Sequence, residues 1–526
     1  MNAPDTQPPI VWSIAGSDSG AGAGLQADLK TFEAFGVHGC TAVAALTAQN
    51  SRRVLQVQAV APQMLDRQLA ALAQDLPPLA IKLGMLGSLE NLRCVVQWVD
   101  RLRDEHPVAL VLDPVRRATT GAAFADEALR RGFVEEVLPR ATMVTPNRAE
   151  AAWLLGLHAL PADEVPEAAA ALRARGARAI AITGGDGGDE ADRAWSSDWI
   201  DTPQARGWLS LPRVDTPNHH GTGCVFASAA ACAMAWGYCE ADALVLAKLC
   251  TTAALRAGYR AGEGAGPVRP MQDFARERGG LPTLHPRRPA WPQARFEPLQ
   301  EPRMGLYAVV DRAEQVVQAV AAGVRTVQLR IKQAPADVLR EQVRRGVAAA
   351  RAAGAQLFVN DHWRLALEEG AYGVHLGQED LAAVGDEGLA GLRAAGIRLG
   401  VSTHSYWEVC RARAVAPSYI ACGPIHATTT KDMPWIPQGE DNLAYWCHVL
   451  EEPVVAIAGM DEARSREAVR CGAAGVAVLR GITQARDLHE AVARLQAAIN
   501  QGAWLARRPA PPLARPTLPG PVSAGS

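Results

Sequence analysis

Two glycine-rich motifs in the first half of the chain carry residues suited to phosphate chemistry. Ala15–Lys30 (AGSDSGAGAGLQADLK) is a turn ahead of a helix, where backbone amides can approach a ligand closely; a plain tight turn is the alternative. A second turn places Gly221, Gly223 and Cys224 at the start of a small-residue helix, where N–H groups would stabilise a transferring phosphoryl group. The Cys224 thiol could act as a base or only orient an acceptor hydroxyl, and a buried structural cysteine is the alternative.

A third motif, Thr145–Ala151 (TPNRAEA), follows a predicted strand and begins a predicted helix. Asn147 and Glu150 are three residues apart, so both side chains project from one turn. An amide and a carboxylate there can hold hydrated Mg²⁺ near nucleotide phosphates. The alternative is a capping box, in which Asn147 is the N-cap and Glu150 is the third helical residue.

In the second half of the chain, polar residues follow predicted strands. Catalytic residues of a (βα)8 barrel lie at the carboxyl ends of its strands, so we expect these residues to meet at one mouth. Carboxylates, lysines, an arginine and a hydroxyl-rich loop together suit a Mg²⁺-bound polyphosphate. The residues are Gln328, Arg330, Lys332, Asn360, Asp361, Gln378, Glu379, Asp380, Ser402, His404, Thr428, Thr429, Thr430, Lys431 and Gly459.

Each of these polar groups also has a structural interpretation. Asn360 and Asp361 could cap a helix, and Glu379 and Asp380 could form a solvated turn. His404 could simply satisfy a local hydrogen bond. Their placement on one face of the predicted barrel favours a binding site over coincidence.

The elements that position these motifs are visible as short apolar runs. VWSIAG, TAVAALTA, LAIKLGM, VALVLDP, TMVTP and ARAIAIT predict buried strands in the first half, with helices such as Leu25–Phe35 and Pro62–Gln74 between them. This alternation predicts a mostly parallel sheet covered by helices. In the second half, GLYAVVD, VRTVQLR, AQLFVN, AYGVHLG, IRLGVS, SYIACG, PVVAIAG and AGVAVLR predict the eight strands of a (βα)8 barrel.

Length and composition bound the classes of protein. A chain of 526 residues exceeds what one core usually supports, so we expect domains over 10–277 and 303–500. Pro and Arg content predicts a linker at 278–302, and the Pro-rich segment 503–526 is predicted to be disordered. A net charge of −2 argues against nucleic-acid binding, and no stretch is apolar enough to span a membrane.

The start of the sequence has no signal-peptide pattern, so we expect a cytoplasmic protein whose ten cysteines are free thiols. Only five of its 53 basic residues are lysine: Lys30, Lys82, Lys248, Lys332 and Lys431. In a chain with so few lysines, a lysine inside a motif is less often there by chance. A homo-oligomer is left open.

With TAQNS, IKLGMLGS, VLDPV and GPVRPM, the first-half motifs make residues 10–275 resemble the hydroxymethylpyrimidine/phosphomethylpyrimidine kinases of the ribokinase-like superfamily. The resemblance implies an N-terminal three-layer α/β/α domain that uses ATP and Mg²⁺. It implies pyrimidine contacts from Asp28, Gln49 and Met85.

The same resemblance implies a Mg-ATP site near Asp113 and Glu150 and a catalytic position at Cys224, where most of the superfamily carries Asp. Thr183 stands where the family commonly has a lysine before a Gly-Gly pair. A threonine hydroxyl can hydrogen-bond a phosphate but brings no charge.

The motifs QLRIK, FVNDHWRLALEEGAYGVHLGQEDL, GVSTH, GPIHATTTK and VVAIAGM make residues 303–498 resemble thiamine-phosphate synthase, a TIM-barrel enzyme. The resemblance implies Mg²⁺ ligands at Asp361 and Asp380. It implies pyrophosphate contacts from Ser402 and Lys431. Pyrimidine-diphosphate contacts fall to Gln328, Arg330, Lys332 and Asn360, and thiazole-phosphate contacts to Thr428, Thr429, Thr430 and Gly459. Leu479 and Arg480 stand where the family usually has a small serine motif, so Arg480 either adds a phosphate contact or narrows the site.

The two resemblances predict a bifunctional thiamine-biosynthesis transferase. Its first half would phosphorylate hydroxymethylpyrimidine and its monophosphate, and its second half would couple the diphosphate to thiazole phosphate. The alternatives are a pyridoxal-kinase-like first half, a thiazole-tautomerase-like barrel, or one half that only senses a ligand.

Overall fold

The structure is a computed structural model that describes residues 7–117, 124–185, 194–288, 294–428 and 434–522. The chain forms two compact units. The first runs to Glu277 and also includes Pro282–Arg288 and residues from Leu518 onward, and the second comprises Arg278–Leu281 and the chain up to Thr517. None of the described helices combines the length and apolarity needed to cross a bilayer.

The first unit is built on one sheet of ten strands, in the order β10-β9-β8-β7-β6-β5-β4-β1-β2-β3. The strands are β1 Ile10–Asp18, β2 His38–Gln49, β3 Val54–Ala59, β4 Ala80–Leu83, β5 Ala109–Leu112, β6 Met143–Val144, β7 Ile180–Ile182, β8 Trp195–Asp201, β9 Arg206–Pro212 and β10 Thr283–His285. The six strands predicted from apolar runs pair in parallel at its centre. Those predictions are confirmed.

Helices cover both faces of this sheet. They are α1 Gly24–Phe35, α2 Pro62–Asp75, α3 Leu89–Glu105, α4 Glu127–Gly132, α5 Arg148–Leu155, α6 Val165–Ala174, α7 Thr222–Ala235 and α8 Glu240–Arg256. Trp12 and Ile14 of β1 belong to the apolar core shared with α2 and α3, whereas Ser13 between them contacts α1. Because side chains alternate along a strand, the unit has three layers, as predicted.

The strands that run antiparallel at the two ends of this sheet were not predicted. Most of β3 is exposed, so its residues show no buried apolar run. In β8, polar residues such as Ser196 and Asp198 occupy strand positions because they serve the interior of the unit. A search for apolar runs passes over such strands.

The second unit is a closed barrel of eight parallel strands, as predicted. They are β11 Gly305–Val310, β12 Thr326–Leu329, β13 Gln356–Asn360, β14 Gly373–Leu376, β15 Arg398–Thr403, β16 Tyr419–Cys422, β17 Val454–Ile457 and β18 Gly475–Val478. The helices around it are α9 Ala313–Ala321, α10 Ala336–Ala352, α11 Trp363–Glu368, α12 Gln378–Ala394, α13 Tyr406–Arg413, α14 Gly439–Val449, α15 Glu462–Cys471, α16 Arg480–Thr483 and α17 Leu488–Trp504.

Aromatic side chains fill the barrel interior. Tyr307, Phe358 and Tyr419 pack with ring centroids 5.1 to 6.0 Å apart. Gly400 is required beside them, since a Cβ there would lie 2.1 Å from the Tyr419 ring. The interior below the mouth is therefore packed, and binding chemistry is confined to the strand ends.

The predicted linker at 278–302 is not a free spacer. Thr283–His285 pairs antiparallel with β9 of the first unit. Phe296 and Leu299 are buried, and the Leu299 side chain joins the core of the barrel. Scattered apolar residues therefore anchor a segment that its Pro and Arg content assigned to a linker.

The predicted disorder of the tail is wrong for its described part, residues 503–522. The Arg508 N–H donates to the Arg470 carbonyl, and the Ala514 N–H donates to the Tyr406 hydroxyl. The Arg515 N–H donates to the Asn442 side chain. Proline lowers the number of backbone donors, and these three N–H groups have partners in the structure, so a Pro-rich segment can pack in an ordered form.

Candidate functional site

A cavity of about 750 Å³ lies in the first unit at the carboxyl ends of the central strands. Its volume is in the range of small-molecule sites. The first-half motifs meet on its wall, because the carboxyl ends of parallel strands lie at one edge of a sheet. Its lining includes Asp18, Gln49, Lys82, Met85, Asp113, Asn147, Glu150, Thr183, His220, Gly221, Gly223, Cys224 and Lys248.

Asp18 organises the first glycine-rich turn. Its carboxylate accepts the N–H groups of Gly20 (2.7 Å), Gly22 (3.0 Å) and Ala23 (2.9 Å). His220 Nε2 lies 3.3 Å from Asp18 Oδ2 and 3.5 Å from the Gln49 amide. Burial by itself would raise the pKa of Asp18, but the contacts with His220 and with the backbone N–H groups lower it. Asp18 and His220 were missed in the sequence, where an Asp before glycines signals only a turn.

Asp28 does not line the cavity, so its predicted contact with the pyrimidine is wrong. The side chain is fully buried on α1. It accepts hydrogen bonds from Ser13 (2.5 Å) and Ser228 (2.7 Å), and both carboxylate oxygens contact Lys82 Nζ at 2.9 and 3.0 Å. The physical reason is that a buried carboxylate needs a cation, and Lys82 on β4 supplies it. Gln49 and Met85, by contrast, do line the cavity.

Lys82 links Asp28 to the centre of the cavity. Its side chain is fully buried, and Nζ lies 3.7 Å from Asp113 Oδ2. Burial by itself would lower the pKa of Lys82, but the carboxylates of Asp28 and Asp113 raise it more, so this ammonium is charged at neutral pH. Burial raises the pKa of Asp113, against the pull of Lys82. Asp113 lines the cavity, and its buried Oδ2 accepts no hydrogen bond from the described residues.

Cys224 lies in the first turn of α7, beside Asp113. Gly221 precedes this helix with φ of 89°, and a Cβ there would lie 2.1 Å from the Gly22 carbonyl, so the two glycine turns touch. Cys224 and Asp113 both line the cavity, and a Cβ on the neighbouring Gly223 would lie 3.9 Å from Asp113 Oδ1. Burial, with Asp113 and Asp28 nearby, raises the pKa of Cys224 to about 12 despite Lys82. This shift is opposite to the lowered pKa that a thiolate base needs, because burial outweighs the expected helix-end effect, and it favours the orienting role for Cys224.

The capping box proposed as the alternative for Asn147 and Glu150 is confirmed. The Glu150 N–H donates to Asn147 Oδ1, and the Asn147 N–H donates to Glu150 Oε2, each at 2.9 Å. Both residues also line the cavity, so the cap holds a carboxylate at its edge. Thr183 is beside them, because its N–H donates to the Pro146 carbonyl.

The barrel mouth collects the polar residues predicted for it. Arg330 follows β12, and Asn360 ends β13 next to His375 on β14. Lys332 is exposed. Gln378 Nε2 donates to the Ser402 carbonyl (2.8 Å), which ties the start of α12 to β15.

Asp361 and Asp380 form a carboxyl pair at this mouth. Asp361 has φ of 63°, a left-handed conformation that is costly for an aspartate and is seen at binding sites. The two carboxyl groups are close enough to influence each other's charge. Partial burial and the neighbouring Asp380 raise the pKa of Asp361 to about 6, against the pull of Arg330.

These positions decide between the interpretations of the barrel motifs. The capping alternative for Asn360 and Asp361 is wrong, because His362 is the N-cap of α11. The solvated-turn alternative for Glu379 and Asp380 is also wrong, because both lie in the first turn of α12. The local hydrogen bond suggested for His404 is confirmed: its ring contacts Glu408 at 2.6 Å and stacks on Trp435.

A chain of buried polar side chains that the sequence did not reveal supports two of the predicted residues. Gln328 Nε2 donates to the Tyr307 hydroxyl (3.2 Å), which contacts the Tyr419 hydroxyl at 2.8 Å. His375 contacts Tyr419 at 2.7 Å and Ser402 Oγ at 2.8 Å. Burial, with Arg330 nearby, lowers the pKa of His375 to about 4, so the ring is neutral at neutral pH. The chain therefore fixes the directions of Gln328 and Ser402.

The remaining predicted residues lie around the same mouth. Gly459 has φ of 71° and Thr428 is half-buried, whereas Leu479 packs on the barrel core and Arg480 is exposed at the start of α16. Thr429, Thr430 and Lys431 lie outside the described residues.

Comparisons with known proteins match the two units separately and together. Residues 18–269 match the family model for phosphomethylpyrimidine kinase, and residues 306–482 match that for thiamine monophosphate synthase. The chain is 32% identical over 504 residues to the thiamine biosynthetic bifunctional enzyme TH1, chloroplastic, of Arabidopsis thaliana. The match covers 92% of this chain and 92% of that protein.

Two further similarities each cover one unit. The chain is 48% identical over 203 residues to thiamine-phosphate synthase of Neisseria meningitidis serogroup A, covering 38% of this chain and 97% of that protein. It is 30% identical to the solved structure of an ADP complex of Bacillus subtilis pyridoxal kinase, with a TM-score of 0.46, covering 50% of this chain and 97% of that one.

Proposed function

The chain belongs to the bifunctional thiamine-biosynthesis enzymes that join a phosphomethylpyrimidine kinase to a thiamine-phosphate synthase, and we propose how its residues divide the chemistry. The first unit phosphorylates hydroxymethylpyrimidine and its monophosphate, and the second couples the diphosphate to thiazole phosphate. The pyridoxal-kinase, tautomerase and sensor alternatives are not favoured, because both family models match and the bifunctional relative spans nearly the whole chain.

In the kinase unit, the pyrimidine would bind against Gln49 and Met85, on a turn ordered by Asp18. The acceptor hydroxyl oxygen forms a bond to the γ-phosphorus of ATP while the bond to the ADP oxygen breaks. Backbone amides at the start of α7 would stabilise the negative charge that develops on the phosphoryl oxygens. The observation that carries this assignment is that Asp113, Gly223 and Cys224 meet on one wall of the cavity at that helix end.

The acceptor proton needs a destination other than a Cys224 thiolate. We assign Cys224 to orienting the acceptor hydroxyl and Asp113 to receiving its proton, since the pKa of Asp113 is raised and one of its oxygens accepts no hydrogen bond from the described residues. Glu150, with Thr183, would be on the ATP side. Mg²⁺ held near Glu150 would offset the charge of the triphosphate.

Replacement of Cys224 tests this assignment. We expect Cys224→Ala to lower the kinase kcat by about tenfold to 100-fold, and Cys224→Ser to stay within about tenfold of the unchanged protein, because a hydroxyl can still donate a hydrogen bond. The kcat profile from about pH 6 to about pH 9 should show no thiol ionisation, since the pKa of Cys224 is about 12. An inflection above about pH 8 that disappears in Cys224→Ser would contradict the assignment.

In the synthase unit, the bond between the pyrimidine methylene carbon and pyrophosphate breaks, and the thiazole nitrogen then forms the new bond to that carbon. Arg330, Lys332 and Lys431 would offset charge that builds on the leaving pyrophosphate, and Gln328 and Asn360 would hold the pyrimidine. The carboxyl pair Asp361–Asp380 suits Mg²⁺, which prefers one or two carboxylates together with phosphate oxygens. Bound there, Mg²⁺ would supply charge for the departing pyrophosphate.

The pKa of Asp361 predicts how Mg²⁺ dependence varies with pH. As pH falls below about 6, Asp361 becomes protonated and the pair loses negative charge, so protons compete with the cation. We expect the Mg²⁺ concentration for half-maximal coupling to rise up to about tenfold for each unit below about pH 6, and to be constant above about pH 7. Mg²⁺ titrations of coupling at fixed pH values measure this, and a constant requirement across the range would argue against Asp361 as a ligand.

The decisive experiment for the whole assignment is a one-pot reaction. The protein is incubated with hydroxymethylpyrimidine, thiazole phosphate, ATP and Mg²⁺, and products are separated by chromatography. Thiamine phosphate, ADP and pyrophosphate are expected. A lack of any pyrimidine phosphorylation would overturn the kinase assignment, and accumulation of pyrimidine diphosphate without thiamine phosphate would overturn that of the synthase.

A further inference from the structure

Lys248 has no role in the motifs above, yet it reaches the wall of the kinase cavity. It projects from the middle of α8, and only 4% of its surface is exposed. Its Nζ donates to Ser196 Oγ (2.8 Å) and lies 2.9 Å from Asp198 Oδ2. Both partners are on β8, one of the strands that the sequence did not predict. A buried lysine is costly unless paired, so this arrangement is a specific one.

Both partners of Lys248 also hold the backbone of one residue, Gly184. Ser196 Oγ donates to the Gly184 carbonyl (3.0 Å), and Asp198 Oδ1 accepts the Gly184 N–H (2.9 Å). Because Lys248 donates to Ser196, the serine hydroxyl is left to donate to the carbonyl. The ammonium therefore sets the direction of one bond and holds the acceptor of the other. A side chain at 184 would not fit, since a Cβ would lie 2.1 Å from the Ser197 carbonyl.

Gly184 continues directly from Thr183, the residue that replaces the family's lysine on the ATP side. The Thr183 N–H is held by the Pro146 carbonyl, next to the capping box of Asn147 and Glu150. The turn is thus fixed at Thr183 by backbone and at Gly184 by side chains. A threonine at this position contributes only a directional hydrogen bond to a phosphate, so its usefulness depends on how firmly the turn is held.

We propose that Lys248 is a positioning residue for ATP binding: through Ser196 and Asp198 it fixes Gly184, and so orients Thr183 toward the triphosphate. This inference rests on the proposed kinase function. It assigns Lys248 no direct contact with phosphate, because its ammonium is already paired with Asp198.

The test compares Lys248→Met, Asp198→Asn and the double variant in steady-state kinase assays of the full chain. We expect each single change to raise the KM for ATP about tenfold, with the KM for hydroxymethylpyrimidine within about twofold of the unchanged protein. The KM for ATP of the double variant should be no higher than that of the more impaired single variant, since both changes remove the same interaction with Gly184. Ser196→Ala, which leaves the ion pair in place, should raise the KM for ATP about threefold.

Two controls separate positioning from misfolding. Arg256→Met removes a cation from the exposed end of the same helix and should leave both KM values unchanged. Coupling of supplied pyrimidine diphosphate by the barrel reports whether each variant is intact. An unchanged KM for ATP in Lys248→Met would overturn the proposal and indicate that Lys248 has no role in ATP binding. Effects on the KM for ATP that multiply in the double variant would also overturn it and indicate direct contact with phosphate. Failure of the unchanged protein to use ATP would instead overturn the kinase function itself.

Discussion

Replacing Asp361 by Asn is expected to lower kcat/KM for the coupling reaction by about 100-fold to 1,000-fold. Asn keeps the size of the side chain and removes its charge. The Asp361–Asp380 pair would then hold a divalent cation much less tightly, and less positive charge would face the departing pyrophosphate. The change also removes the proton competition predicted from the Asp361 pKa of about 6, so the residual activity should depend less on pH.

Product analysis makes this expectation specific to the barrel. In the one-pot reaction, Asp361→Asn should accumulate pyrimidine diphosphate, because the kinase unit has its own site. Glu387→Gln is the matched control, since Glu387 is an exposed carboxylate on α12, the helix that carries Asp380. Loss of coupling in both variants, or in neither, would argue against a metal role for Asp361.

Replacing Lys82 by Met is expected to destabilise the first unit by about 3–5 kcal/mol. Lys82 is the cation between Asp28 and Asp113, and all three side chains are buried. Without Lys82, the carboxylates of Asp28 and Asp113 would be buried together, and the described contacts of Asp28 include no other cation. Kinase activity should be lost as well, because Asp113 would no longer be held beside Cys224 with the same charge balance.

A double variant distinguishes charge from packing. Lys82→Met combined with Asp28→Asn removes both charges of the closer pair, and we expect it to recover about 1–2 kcal/mol of the loss. Arg93→Met is the control, because the exposed Arg93–Glu136 pair should be worth about 1 kcal/mol or less. Urea unfolding, with hydrogen exchange of β1 and β4 to identify the unit that unfolds, measures these changes. Equal losses for Lys82→Met and Arg93→Met would contradict the ion-pair assignment.

Apolar runs were enough to predict the parallel strands of both units. Strands such as Ala109–Leu112 are buried on both faces, so every residue is apolar and the run is visible locally. The same reasoning missed Trp195–Asp201, where Ser196 and Asp198 lie in strand positions because they bind Lys248 and Gly184. Polar residues that are buried with distant partners cannot be recognised from the sequence around them.

Motif resemblance predicted the lining of the kinase cavity well for Gln49, Met85 and Cys224, but not for Asp28. Asp28 is in the glycine-rich motif, and its position in the chain says nothing about which way α1 turns it. Its partner Lys82 is 54 residues away, and the contact exists only because α1 packs over β4. The protonation state of Cys224 was equally hidden, since it follows from burial and from three charged neighbours on other elements.

The sequence by itself determined the two α/β architectures, because alternating apolar runs are properties of short segments, and its motifs resembled those of the two families that the comparisons show. The tertiary structure alone decided which charges pair. The motifs included Lys82 and assigned no role to Lys248, and the packing of β4 and α8 supplied Asp28 and Asp198 as their partners. A buried ion pair depends on which distant segments meet, and that is set by the packing of the whole unit.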